Sequence, residues 1–123
     1  MQPTDDADGL LERLYNLIGA RDAVFAAELL HEFLRELPQT LHALTEGLSR
    51  QDWETLRYLA HRLRSGAHAL GGVGIAAASV PLESAARAGD AQAAGVLLPA
   101  LLAEAEVYAR TAAALLRILE DAP

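Results

Sequence analysis

A chain of 123 residues is of single-domain length, and without cysteine it has no disulfides and no thiolate metal site. Hydrophobic residues make up 52%, too many for disorder, yet no apolar run reaches the ~18 residues of a membrane span; the longest, Val96 to Leu102, is broken by Pro99. A net charge of −7 sets the chain against phosphate backbones and argues against nucleic-acid binding. The acidic N-terminal stretch MQPTDDADG is the opposite of a secretory or mitochondrial signal. The expectation is one soluble, cytoplasmic, monomeric domain over residues 1–123, with 1–6 a flexible tail and no membrane insertion.

No segment alternates with a strand period, and apolar residues recur at helical spacing. A short first helix is predicted over Ala7 to Ile18, carrying Leu10, Leu11, Leu14 and Leu17 and stopped by Gly19. A second runs from about Asp22 to Ser49 with Phe25, Leu29, Phe33, Leu37, Leu41, Leu44 and Leu48 along one side; Pro38 should kink it or end its first half. The third starts near Asp52, a good N-cap, and stops at Gly71-Gly72. The fourth spans Ile75 to Ala88, with Pro81 a second irregularity, and closes at Gly89. The fifth covers Asp90 to Leu119, with Leu98, Leu101, Ala105, Tyr108, Ala112, Leu115 and Leu119 as its stripe. Short connections between long amphipathic helices imply antiparallel neighbours. The fold class expected is therefore all-α: an up-down antiparallel four-helix bundle with a short additional N-terminal helix.

On the third helix, Leu56, Leu59, Leu63, Ala67 and Leu70 form the apolar face, and His61 lies about 160° from its centre. Arg57, Arg64, Ser65 and His68 stand at spacings of four, three, four and seven from His61, which put side chains on a common face. A basic strip thus crosses an acidic protein. Exposed helix faces ordinarily carry charge without function, and His31 and His42, among Glu28, Glu32 and Gln39, suit that plain reading. Metal binding is not expected, because His61 and His68 would stand about 10 Å apart along the axis. A Ser/His/Asp triad lacks its strand-to-helix elbow. The G-G-x-G run at Gly71 to Gly74 follows a helix, so it is a terminator and not a phosphate loop.

The segment from Leu59 to Asp90, LAHRLRSGAHALGGVGIAAASVPLESAARAGD, resembles the histidine-containing phosphotransfer (HPt) domain of multistep phosphorelays, whose pattern is roughly A-H-x-L-K-G-S-x-x-x-L-G and then L-E-x-A-A-x-x-G-D. Here it reads Ala60-His61-Arg62-Leu63-Arg64-Ser65-Gly66, then Leu70-Gly71, then Leu82-Glu83-Ser84-Ala85-Ala86-Arg87-Ala88-Gly89-Asp90. Upstream, Phe33 to Pro38 is similar to the family's F-L-x-x-L-P segment, and the likeness runs from about Leu10 to Leu119. Arg64 stands where the family has Lys, and the family's Gly-Ser pair is inverted as Ser65-Gly66.

The resemblance implies a helical bundle and a phosphorelay intermediate without autonomous turnover. His61 would accept a phosphoryl group from a receiver-domain aspartate and pass it to another receiver. Arg64 would meet the phosphoryl oxygens, and Arg57, Ser65 and His68 would face the partner. Response-regulator receivers and a hybrid sensor kinase are the partners implied. No cofactor is expected on the chain, with Mg²⁺ brought by the receiver. Glu83 and Arg87 would orient His61, touch the partner or form a structural salt bridge. The alternative is a helical adaptor without chemistry, docking a receiver or partner helix through the same face.

Overall fold

The computed structural model describes residues 7–121, so the tail expected at 1–6 lies outside the described residues. They form five α-helices: α1 (Ala7–Ile18), α2 (Ala23–Ser49), α3 (Trp53–Ala69), α4 (Val73–Ala88) and α5 (Ala91–Asp121). No strand occurs among the described residues. The helices α2, α3, α4 and α5 close a ring, each packed on its two neighbours in that order, and α1 lies against α5 and α2.

Local chemistry sets the boundaries. Asp22 and Asp52 each accept a hydrogen bond from the backbone three residues on, at Phe25 and Thr55, giving α2 and α3 side-chain N-caps. Asp90 does the same for Ala93 at the start of α5. Gly19, Gly71 and Gly89 end α1, α3 and α4 in the left-handed region, where a side chain would be strained. The α2–α3 turn uses Gln51 at φ 52° in that role.

The structure narrows one sequence expectation and corrects another. Of the two outcomes open at Pro38, a kink or an end, the helix does not end there: α2 continues from Ala23 to Ser49. Pro38, Pro81 and Pro99 all face solvent, where water can take the carbonyl that proline leaves without a donor. Phe25 is not a core residue: it is 43% exposed, and Ala26, Leu30, Leu37 and Leu44 are buried instead. A four-residue repeat drifts about 40° per step on a helix of 3.6 residues per turn, so a stripe begun at Phe25 has turned about 120° by Leu37.

The core is aliphatic and alanine-rich. Leu10 and Leu14 of α1, Leu30 and Leu44 of α2, Leu56 and Ala60 of α3, Ile75 and Leu82 of α4, and Leu101 and Leu115 of α5 are fully buried. Ala60, Ala67, Ala85 and Ala86 are also buried, and such small side chains let helix axes approach closely. Midway along α5, Tyr108 adds an aromatic ring to this core. Its ring meets Phe33 edge to face at 5.5 Å, and its hydroxyl donates to the Leu70 carbonyl at 2.7 Å. Burial pushes that hydroxyl well above the ordinary tyrosine range, so it remains a donor.

Candidate phosphotransfer site

The histidine helix buries Leu56, Ala60, Leu63 and Ala67, which leaves His61 on the outer side with 52% of its side chain exposed. The neighbouring α4 buries Ile75, Ser79, Leu82, Glu83, Ala85 and Ala86. Ser79 satisfies its hydroxyl on the Ile75 carbonyl at 2.8 Å. Glu83, one turn on, keeps only 8% of its side chain exposed and reaches across the α3–α4 seam.

Its carboxylate meets the ring of His61, with Oε1 2.7 Å from Nδ1. A carboxylate oxygen only accepts, so the hydrogen-bond network assigns the proton to Nδ1. The lone pair of the neutral ring then lies on Nε2. Arg64 Nη2 stands 3.1 Å from the same Nδ1. In this tautomer Nδ1 has no lone pair to accept with, so the guanidinium rests against the ring without donating to it. Its other contact is with Glu83, Nη1 to Oε2 at 3.9 Å. Arg87, four residues after Glu83 on α4, places Nη2 3.9 Å from Oε1. One buried carboxylate is therefore shared by an imidazole and two guanidinium groups, the pairing that a buried charge requires.

Beside this cluster a groove of ≈ 620 Å³ runs between α3 and α4, lined by Arg64, Ser65, His68, Val73, Ala76, Ala77 and Val80. The α3 residues in its lining are polar or basic and the α4 residues apolar; Val73 and Val80 are 62% and 44% exposed. Ser65 faces this groove, while Gly66 turns inward, where an added Cβ would sit 3.5 Å from the Phe33 ring. The inverted pair thus leaves a hydroxyl on the outer face and the bare position toward α2.

Of the residues singled out in the sequence, His61 and Arg64 meet at Glu83, and Arg64, Ser65 and His68 share the groove. Arg57 is half-buried one turn before His61 and is not among the groove's lining residues. His31 lies elsewhere, paired with Glu120 of α5, and His42 is exposed on α2. The central part of Glu83 was not resolved by the sequence, which left its role open. The available signal was its spacing: Ser79, Leu82, Glu83 and Ala86 share the buried face of α4. Among the described residues, no group of three histidine, aspartate or glutamate side chains is placed to hold a metal ion. No helix among them is long and apolar enough to cross a membrane.

Residues 28–121 match the family model of the Hpt domain, from early in α2 to the last residue of α5. The chain belongs to the Hpt family. Members of that family carry phosphoryl groups on histidine within two-component phosphorelays and interact with the receiver domains of response regulators. Neither the comparison with curated proteins nor that with solved structures gives a match.

Proposed function

We propose that His61 is the phosphoacceptor of this Hpt domain, taking the phosphoryl group of a receiver's aspartyl-phosphate and passing it to a second receiver. The observation that carries the reading is the Glu83–His61 hydrogen bond, which turns Nδ1 of a half-exposed ring to the carboxylate and leaves Nε2 as the nitrogen with a lone pair to attack. As Nε2 bonds phosphorus, the bond from phosphorus to the aspartyl oxygen breaks and the receiver's carboxylate is released. The ring keeps its Nδ1 proton and gains positive charge, which the Glu83 carboxylate balances. Phosphoryl transfer has a loose transition state, so positioning and charge stabilisation supply most of the catalysis. Arg64 lies one turn from His61 and offers a forked cation to the phosphoryl oxygens.

The groove beside His61 supports docking on this face. Its apolar α4 lining suits an apolar side chain from the receiver, and Arg64 and His68 on the α3 side, with Arg57 one turn before His61, attract the receiver's acidic pocket. In this reading α2 to α5 run up and down as antiparallel neighbours, and the domain works as a cytoplasmic monomer between a hybrid sensor kinase and a response regulator. It turns over nothing by itself and needs no cofactor of its own, Mg²⁺ belonging to the receiver.

The test is transfer of labelled phosphoryl from a phosphorylated receiver. Wild type, His31→Gln and His42→Gln are expected to gain an acid-labile, alkali-stable label, and His61→Gln none, with unchanged helicity. Label retained by His61→Gln would sink the assignment.

A further inference from the structure

We propose that Arg87 is a positioning residue: it holds the charge of Glu83 while Arg64 leaves that carboxylate for the phosphoryl group. The proposal rests on the reading of His61 as phosphoacceptor and adds a division of labour between the two arginines.

The geometry around Glu83 is its basis. Two cations serve one nearly buried carboxylate, from different helices and on different oxygens: Arg64 on Oε2 and Arg87 on Oε1, each at 3.9 Å. At that distance both guanidinium groups feel the charge, yet neither is locked into a short bidentate hydrogen bond. Oε1 is already engaged by the His61 ring at 2.7 Å, so Glu83 itself is fixed while the cations can redistribute. Arg64, 38% exposed and 3.1 Å from the ring, is the cation beside the new phosphoryl group.

A phosphoryl group brings close to two negative charges and three strong acceptors. It competes with Glu83 for Arg64. Surrendering Arg64 would leave a buried carboxylate with the ring as its only counter-charge, which is unfavourable in low dielectric. Arg87 removes that penalty. It reaches Glu83 along its own helix at i,i+4, so its contact does not depend on where the side chains of α3 turn. Without Arg87, one guanidinium must serve two anions. Arg87 is 63% exposed, so its replacement leaves the core untouched.

The experiment uses the whole chain with phosphoramidate, whose P–N bond breaks and releases ammonia as Nε2 of His61 bonds phosphorus. Labelling rates are compared for wild type, Arg87→Met and Arg87→Lys. The side-chain ¹⁵N–¹H signals of Arg64 are followed before and after labelling. Arg87→Met should label about two- to fivefold more slowly, the size expected of a partly exposed ion pair. Arg87→Lys should stay near wild type. The Arg64 signals should shift on phosphorylation in wild type and in Arg87→Lys, and stay near their starting positions in Arg87→Met. A wild-type labelling rate in Arg87→Met, or an equal Arg64 shift there, overturns the proposal alone. Failure of wild type itself to label on His61 removes the phosphoacceptor reading and this proposal together.

Discussion

At the scale of the single residue, Glu83 is the side chain whose replacement is expected to separate chemistry from folding. Replacing it by glutamine keeps an oxygen that accepts from His61 Nδ1 but deletes the charge that, in the proposed transfer, balances the developing imidazolium. Transfer to Glu83→Gln should slow about tenfold, the difference between a charge-assisted and a neutral hydrogen bond. Thermal stability should change little or rise, because a buried charge contributes weakly to stability even when paired. Stopped transfer assays and melting curves on the same sample check both. Arg64 is the cation proposed to meet the phosphoryl oxygens. Arg64→Ala should slow transfer by one to two orders of magnitude, equivalent to ~1.4–3 kcal/mol of charge-assisted hydrogen bonding, and Arg64→Lys should recover much of it. An Arg64→Ala protein that accepts phosphoryl at the wild-type rate would make this arginine part of a solvated face and nothing more.

At the scale of the element, the helix ends carry tests of the fold that leave the site alone. Asp52 caps α3 through the Thr55 backbone and hydroxyl, and these hydrogen bonds hold its carboxyl below the usual range. A carboxyl depressed in the folded state contributes stability at pH above its unfolded value, about 3.9, and loses it as pH falls through the lower folded value. The stability gap between wild type and Asp52→Asn should therefore narrow on acidification below that range, measured by urea unfolding at stepped pH. Gln51 closes the α2–α3 turn at φ 52°, a conformation that disfavours a side chain by about 1–2 kcal/mol. Gln51→Gly should stabilise the domain by roughly 0.5–1 kcal/mol after the greater flexibility of unfolded glycine is subtracted. A lowered melting temperature in that variant would contradict this account of the turn.

For the whole molecule, the order of the helices and the outward placement of His61 were legible in the sequence, because helical periodicity and caps are local signals. Asp52 starts α3 and Gly89 ends α4 where the residues indicated. Phe25 misled, and Pro38 left two outcomes open, each for a physical reason. A four-residue repeat looks straight on paper but spirals on a real helix, and a proline on the solvent side is tolerated where a buried one is not. The triple use of Glu83 was not legible, because it depends on how closely α3 and α4 approach and no spacing within one helix reports that. The proposed docking face likewise belongs to two helices. Ser65→Gln adds bulk on the groove without touching the core. It should sharply reduce transfer from a receiver while leaving labelling by phosphoramidate nearly unchanged, since the small donor needs no docking surface. Equal losses with both donors would move the effect from docking to chemistry.

The most direct test of the central claim is an NMR experiment on the phosphorylated, ¹⁵N-labelled chain that locates phosphorus on a particular ring nitrogen. The expected result is phosphorus on Nε2 of His61, with Nδ1 still protonated toward Glu83. Phosphorus on Nδ1 of His61, or on His31, His42 or His68, would contradict it.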